Sequence, residues 1–312
     1  MTEEAKKYGL VTRSDMDGLV CAILLKQLGL IEDITFVHPK DVQDGKIELN
    51  ENHITTNLPY QEKVHLAFDH HASEELRIKK PRKNYINIPN APSTAHVVYE
   101  YYGGKKTFPN ISPEMMEAVD KSDSARFTLE EVLNPQGWVL LSFLMDPRTG
   151  LGRFRTFRVS NYQLMMDLID YCQDHTIDEI LQLPDVVERT KLYKELYPQF
   201  IEQIKRCATV HDKLVVLDLR NEDPIYPGNR FVIYALYPQC NISMYVIWGV
   251  KKQNTVFAVG KSIFNRTSTI DVGELMLRYG GGGHEAAGTC QVANERAEQV
   301  KQELIQAITM SA

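Results

Sequence analysis

Cysteines are few in this sequence and far apart. The 312 residues include only five, and no two of them form a CxxC pair. An odd number of scattered cysteines favours neither a disulfide framework nor a zinc cage. We therefore expect buried free thiols at these positions, which are Cys21, Cys172, Cys207, Cys240 and Cys290.

Long apolar runs and basic excess are also missing. No uninterrupted apolar stretch approaches the roughly 20 residues that span a bilayer, and residues 1–7 are polar and do not resemble a signal peptide. These features predict a cytoplasmic protein without a membrane partner. A formal net charge of -6 disfavours a broad surface for duplex nucleic acid. Binding of a small anionic ligand is compatible with this net charge, because such a ligand responds to the local electrostatic field of its pocket.

The chain length predicts two domains, since 312 residues exceed the size at which one hydrophobic core usually stops growing. Strand and helix patterns alternate in the first third, which predicts a mostly parallel sheet flanked by helices. Residues 93–206 have mainly helical periodicity, and strand patterns return after residue 210. We expect an α/β fold with an N-terminal domain at 1–186, a helical linker at 187–209, a smaller α/β domain at 210–312, and a cleft between the domains.

The individual elements follow from periodicity and turn residues. Strands are predicted at 8–12, 34–38, 53–56, 63–68, 213–218, 231–236, 242–247 and 255–259. Helices are predicted at 19–28, 94–102, 113–121, 161–174 and 187–206.

Two acidic motifs come directly after predicted strands. Asp15 and Asp17 precede Gly18, and two converging carboxylates suit hard divalent cations. On its own this motif is weak, since the same residue types form turns and helix caps. Asp69-His70-His71 offers oxygen and imidazole ligands. Two consecutive histidines cannot both face one core side of a strand, so functional and structural interpretations are about equal here.

Four consecutive glycines, Gly280 to Gly283, precede His284 and an Ala-Ala-Gly segment that we interpret as a helix start. Closely spaced glycines let backbone N–H groups approach an anion, and a helix N-terminus favours phosphate. A flexible tether would usually carry serines. The segment therefore predicts an anion-binding loop.

Two further features have competing interpretations. Asp120 and Asp123 lie at the end of a predicted helix, where either could reach a metal or cap the next helix. Arginines between positions 148 and 158 could contact a polyanion, although such a run is more often a solvated face.

Taken together, the Asp15-Met16-Asp17-Gly18, Asp69-His70-His71 and polyglycine-His284 motifs closely resemble the DHH phosphoesterase superfamily with its DHH-associated C-terminal domain. The resemblance runs from about Tyr8 to Gly288. Its members include RecJ exonucleases, nanoRNases, cyclic dinucleotide phosphodiesterases, and the pyrophosphatase and exopolyphosphatase branch. It implies a two-metal, usually manganese-dependent phosphoesterase, with the metals in the N-terminal domain and a C-terminal domain that closes over the substrate.

The resemblance also implies roles for individual residues. Metal ligation is implied for Asp15, Asp17, His70, and either Asp123 or Asp120, with Asn57 and Asp69 as further members of the metal site. Catalysis is implied for Asp69, His70 and His71, the first and last of which orient the metal ligands or contact phosphate. Substrate binding is implied for Arg13, Arg266, Gly281, Gly282, Gly283 and His284.

Two positions depart from the family pattern. Arg13 stands where many relatives have a histidine ligand, and a guanidinium stays protonated and cannot ligate a metal. Asn57 stands where many relatives have a bridging aspartate. We expect both departures to weaken the same metal position, leaving one or two ions bound, and Arg13 could bind phosphate there instead.

The favoured function is a metal-dependent hydrolase of a short oligonucleotide, a cyclic dinucleotide or polyphosphate, with Mn²⁺ as the expected metal. The alternative is a catalytically impaired DHH protein that binds or senses a phosphate-bearing ligand, because Arg13 and Asn57 replace usual ligands. Expected partners are a phosphate-bearing small molecule or short single-stranded nucleic acid. A homodimer, like the exact substrate, is left open by the sequence.

Overall fold

The computed structural model describes residues 6–71, 74, 78, 80–89 and 91–310. The chain divides into two compact units. The first comprises Met1–Phe127 and Pro135–Leu192, and the second comprises Thr128–Asn134 and Tyr193–Ala312. Within the described residues, no helix has both the length and the apolar character required to cross a membrane.

The first unit contains a five-stranded sheet in which every neighbouring pair is parallel, in the order β2-β1-β3-β4-β5. Its strands are β1 (Tyr8–Arg13), β2 (Ile31–Val37), β3 (His53–Thr56), β4 (Leu66–Asp69) and β5 (Tyr85–Asn87). The parallel sheet with crossover helices was predicted from the alternating patterns, and the structure confirms it. In such a sheet all the strand carboxyl ends lie at one edge.

The first unit also contains seven described helices. They are α1 (Met16–Gln27), α2 (Pro39–Gln43), α3 (Thr94–Tyr101), α4 (Pro113–Asp123), α6 (Gly137–Met145), α7 (Asn161–Asp174) and α8 (Ile177–Ile180), with short 3₁₀ turns at Gly104–Lys106, Pro147–Thr149 and Leu151–Arg153. Helix α1 is apolar on all sides and is buried from Met16 to Leu25, because α3, α4 and α7 pack against it. This packing fixes the start of α1 at the carboxyl end of β1.

The second unit contains a six-stranded mixed sheet in the order β10-β11-β9-β8-β7-β6. Its strands are β6 (Ala208–His211), β7 (Leu214–Asp218), β8 (Ile242–Trp248), β9 (Thr255–Lys261), β10 (Gly282–His284) and β11 (Ala287–Val292). Its helices are α5 (Leu129–Leu133), α10 (Val232–Leu236), α11 (Val272–Leu277) and α12 (Ala297–Met310), with 3₁₀ turns at Val250–Lys252 and Asn294–Arg296. Helix α9 (Pro184–Cys207) contains the division between the units. One core cluster joins the sheet to α11 and α12.

Two predicted elements are wrong. Residues 231–236 were predicted as a strand, but the structure has α10 there; a short apolar run has no periodicity that separates strand from helix. The segment after the four glycines was predicted as a helix start. It forms the hairpin of β10 and β11 instead, because β11 pairs with the edge of β9.

The five cysteines all lie among the described residues and are free, as predicted. Four of them are buried, and Cys207 is partly exposed.

Candidate metal centre

The candidate centre lies at the carboxyl ends of three adjacent strands. Because β1 pairs with β3 and β3 pairs with β4, their last residues lie side by side. Asp15 and Asp17 follow β1, Asn57 follows β3, and His70 follows β4. The parallel topology therefore brings together polar residues from three separate segments of the chain.

Three of these side chains converge on one point. One donor atom each from Asp17, His70 and Asp123 lies within 4.8 Å of the other two. His70 Nε2 lies 2.7 Å from Asp123 Oδ2. The other ring nitrogen, Nδ1, lies 3.0 Å from the carbonyl oxygen of Ala91, which can only accept, so Nδ1 carries the hydrogen and donates it. Nε2 is thus the atom presented to the carboxylates, and this donor set suits a divalent cation.

Asp17 is held by the start of helix α3. Its Oδ1 accepts from the backbone N–H of Ala95 at 2.7 Å, and its Oδ2 accepts from that of Thr94 at 3.1 Å. The side chain is buried, and its orientation is set by these two bonds and by the positive end of the α3 dipole.

Electrostatics within the cluster also favour a cation. Burial, followed by the charge of Asp123, raises the pKa of Asp17 to about 7. Burial would lower the pKa of His70, but its contact with Asp123 and the charges of Asp123 and Asp17 outweigh burial and raise that pKa to about 10. These shifts have one physical cause, which is that two buried carboxylates close to each other favour a positive charge between them. A divalent ion can supply that charge.

Asp15 has a different environment from Asp17. It caps helix α1 by accepting from the backbone N–H of Gly18 at 3.1 Å, and its Oδ2 pairs with Arg13 Nε at 2.9 Å. Asn57 Nδ2 lies 3.5 Å from Asp15 Oδ1. Gly18 is required at this turn, since a Cβ there would lie 1.9 Å from the carbonyl oxygen of Arg13. The structure therefore places Asp15 beside the three-residue cluster, already paired with a guanidinium.

Asp69 lies under the two histidines and orients them. Its Oδ1 accepts from the backbone N–H of His70 at 2.9 Å and lies 2.6 Å from His71 Nδ1, while its Oδ2 accepts from the Tyr85 hydroxyl at 3.1 Å. Burial would lower the pKa of His71, but the hydrogen bond to Asp69 outweighs burial and raises it. Asp69 is buried and is not among the three converging donors, and its contacts orient His70 and His71. Its role as a metal ligand stays a prediction.

The structure separates the two aspartates of helix α4. Asp123 belongs to the converging cluster. Asp120 accepts from Ser93 Oγ at 2.6 Å and lies 2.9 Å from His96 Nδ1. Asp120 therefore anchors the start of α3, which in turn binds Asp17.

Several residues around the centre were missed by sequence reasoning. The backbone N–H groups of Thr94 and Ala95 belong to no sequence motif. Ser93 indicates that a helix begins there, but it does not indicate that the helix binds Asp17. Arg148, assigned to a solvated face, lies near enough for its charge to lower the pKa of Asp15, although burial dominates and raises that pKa overall. Its guanidinium also bonds Asp146, with Nε 2.7 Å from Oδ1.

The predicted phosphate loop is a tightly packed hairpin. A Cβ at Gly281 would lie 2.1 Å from the carbonyl oxygen of Thr289, and one at Gly283 would lie 2.3 Å from that of Ala287. At Gly282 the same position is open. His284 is the exposed last residue of β10. Close backbone packing accounts for Gly281 and Gly283, whereas a Cβ at Gly280 (φ +72°) or at Gly282 would meet nothing within 4 Å. Anion binding by this segment stays a prediction.

Arg266, predicted to bind substrate, also lies in the second unit. It is exposed in the loop after β9, and its Nε donates to the carbonyl oxygen of Ile263 at 3.1 Å.

Comparison with known proteins adds a relative of similar length. A solved structure, the pGpG-specific phosphodiesterase PggH from Vibrio cholerae, is 61% identical, covers 98% of this chain and 100% of its own, and has a TM-score of 0.83. A RecJ exonuclease bound to manganese is 16% identical over 98% of this chain and 91% of that one, with a TM-score of 0.53. RecJ from Thermus thermophilus in complex with Mn²⁺ is 14% identical, with a TM-score of 0.51, and covers 98% and 52% of the two chains. The RecJ likenesses show the fold alone.

Two other comparisons give little information about the family or function of this chain. An A-adding tRNA nucleotidyltransferase from Aquifex aeolicus is 36% identical over 83 residues, which is 24% of this chain and 10% of that protein. No protein-family model matches the chain.

The fold, together with the 61% identical phosphodiesterase, defines a phosphoesterase-type hydrolase. The chain belongs to the DHH phosphoesterase superfamily, as its motifs predicted. It is a phosphoesterase, so the hydrolase hypothesis is supported over the impaired binding module.

Proposed function

We propose that this enzyme hydrolyses pGpG, a linear dinucleotide with a 5′-phosphate, and that it does so with a divalent ion, Mn²⁺, held by Asp17, His70 and Asp123. The observation that carries the proposal is the 61% identity to a pGpG-specific phosphodiesterase over the full length of that chain. The convergence of three donors within 4.8 Å supports the metal.

Each side chain has a distinct task in this proposal. A divalent ion at the cluster supplies a water of lowered pKa and a positive charge at the phosphate. Asp17 and His70 are fixed by backbone groups, so the ligands are rigid before substrate binds. His71 lies next to His70, with ring centroids 4.6 Å apart, and Asp69 orients it. We assign His71 to hold the proton that the leaving oxygen takes up.

The proposal is tested by incubating the purified full-length chain with pGpG and Mn²⁺ and measuring GMP by chromatography. We expect complete conversion to GMP that EDTA abolishes. Parallel reactions contain pApA, GpG without the 5′-phosphate, cyclic di-GMP, a short RNA and polyphosphate. Faster hydrolysis of pGpG than of all five supports the assignment. Hydrolysis of another substrate but not of pGpG would overturn it.

A matched pair of variants connects the activity to the centre. Asp17→Asn removes one charge of the cluster and should abolish Mn²⁺-dependent turnover. Asp170→Asn makes the same chemical change on helix α7, where the side chain is 68% exposed and pairs with Lys26. The Asp170 variant should retain wild-type activity. Equal activity of the two variants would count against the cluster as the metal centre.

A further inference from the structure

Beside the three converging donors lies a second polar group, formed by Arg13, Asp15 and Asn57, that we call the arginine group. All three are at the carboxyl ends of β1 and β3, the same edge as the cluster. Asp15 and Asn57 are buried, with 7% and 2% of their surface exposed, while the Arg13 side chain is 28% exposed.

The arginine group does not fit a second metal ion. Asp15 Oδ2 is paired with Arg13 Nε, and its Oδ1 faces the N–H of Gly18 and the amide of Asn57. A guanidinium has no lone pair for a metal and stays protonated. Asn57 adds one neutral carbonyl oxygen, Oδ1, which is buried and has no hydrogen-bond partner among the described residues. One carboxylate, already neutralised, is the only charged ligand left.

Arg13 carries further N–H donors besides Nε, because a guanidinium has five of them. Apart from the Nε pair with Asp15, its side chain has no hydrogen bond or ion pair to a described residue. The charge of Arg13 acts on Asp15 and also on Asp123, a member of the cluster. A guanidinium thus lies next to the cluster with donors to spare, a geometry that suits a phosphate oxygen.

We infer that this enzyme binds one divalent ion per chain and that Arg13 supplies the second positive charge, contacting a non-bridging oxygen of the scissile phosphate. The inference rests on the proposed function. In the reaction a water oxygen bonds to phosphorus, the bond from phosphorus to the leaving nucleotide oxygen breaks, and a proton reaches that oxygen. Arg13 stays protonated throughout and stabilises the charge on phosphate.

Ion counting tests the inference independently of turnover. The wild-type chain is equilibrated with Mn²⁺, separated from free ion by gel filtration and analysed for metal by mass spectrometry, with electron paramagnetic resonance on the same samples. We expect one ion per chain and the spectrum of isolated Mn²⁺. Two ions per chain with an exchange-coupled spectrum would overturn the inference while leaving pGpG hydrolysis unaffected.

Restoring metal-binding chemistry gives the converse experiment. The double variant Arg13→His and Asn57→Asp places an imidazole and a carboxylate beside Asp15. It should bind two ions per chain and give an exchange-coupled spectrum. A folded double variant that still binds one ion would show that these residues are not what excludes the second.

Single variants at Arg13 separate charge from structure. Arg13→Gln should lower kcat on pGpG about a hundredfold, as loss of one transition-state donor does, and still bind one Mn²⁺. Added guanidinium ion should partly restore turnover of Arg13→Gln, and Arg13→Lys should retain more activity than Arg13→Gln. Unchanged kcat in Arg13→Gln with one bound ion would refute the role of Arg13 but not the proposed substrate.

Discussion

The strand-end centre of the first unit and the glycine hairpin of the second contain the two most conspicuous motifs in the sequence. The centre depends on side chains, whereas the hairpin depends on their absence. At the strand ends, buried side chains such as Asp17 and His70 are held by backbone groups and directed at one point. In the hairpin, Gly281 and Gly283 let two backbones approach closely because they lack side chains. The first motif encodes chemistry through residue type, whereas the second encodes a backbone shape.

The largest effect is expected from the cluster itself. Asp123→Asn removes a carboxylate that contacts His70 and should lower kcat on pGpG about a thousandfold, since a bound metal contributes several kcal/mol to the transition state. The measurement is initial rate against Mn²⁺ concentration.

Asp120→Asn is the matched control on the same helix. Asp120 contacts Ser93 and His96. Its replacement should therefore lower kcat on pGpG about tenfold, in the lower part of the range for residues that support metal ligands. A larger loss for Asp120→Asn than for Asp123→Asn would reverse our assignment of the two aspartates.

A loss of kcat between those of the Asp123 and Asp120 variants is expected when the orientation of His71 is disturbed. Asp69→Asn weakens the bond to His71 Nδ1 and should reduce kcat about 10- to 100-fold, with little change in Mn²⁺ affinity. Tyr85→Phe removes the hydroxyl that donates to Asp69 and should lower kcat less than Asp69→Asn does. If Asp69→Asn lost the metal instead, Asp69 would have to be regarded as a ligand, as the family resemblance implied.

Much of the strand-end centre could be predicted from the sequence, because residue type and position after a strand both point to it. Asp17, His70 and Asp123 were all named as ligands, and topology brought them together. The choice between Asp120 and Asp123 needed the orientation of helix α4, which a sequence pattern does not contain. The pairing of Arg13 with Asp15 likewise depends on side-chain geometry.

The hairpin was harder to predict for a physical reason. A glycine is compatible with a loop around an anion, a helix start, or close contact between strands, and the sequence alone does not distinguish these. The conformation of this segment depends on a contact between residues far apart in the sequence, which is the pairing of β11 with the edge of β9. Residues 231–236 failed similarly, because a short apolar run fits either a strand or a buried helix.

A matched pair of glycine variants tests the packing interpretation of the hairpin. Gly281→Ala puts a methyl group 2.1 Å from a carbonyl oxygen and should destabilise the second unit by about 1–3 kcal/mol. Gly282→Ala meets nothing within 4 Å and should leave stability nearly unchanged. Urea denaturation followed by tryptophan fluorescence measures both. Equal stability of the two variants would contradict close packing at Gly281 and favour an open loop. Slower pGpG hydrolysis by a stable Gly282→Ala variant would indicate that this residue contacts substrate.

The smallest expected effect concerns a charged group that stabilises the second unit. Asp218, at the end of β7, lies 2.6 Å from Arg220 Nη2 and 2.7 Å from Lys301 Nζ. Burial would raise the pKa of Asp218, but these two partners outweigh burial and lower it to about 2. Because the folded pKa lies below the ordinary value of 3.8, the stabilisation is full above about pH 4 and is lost as the pH falls towards 2.

Asp218→Asn should therefore lower the free energy of unfolding by about 1–2 kcal/mol at pH 7, a range that allows for solvent screening of these partly exposed charges. The difference from wild type should shrink steadily between pH 4 and pH 2. Urea denaturation at pH 7, 4 and 3 measures it, and kcat on pGpG at pH 7 should stay unchanged. A difference that persisted at low pH would mean that Asp218 stabilises the fold through packing. Loss of turnover without loss of stability would mean that charges in the second unit, like those at the strand ends, serve the reaction.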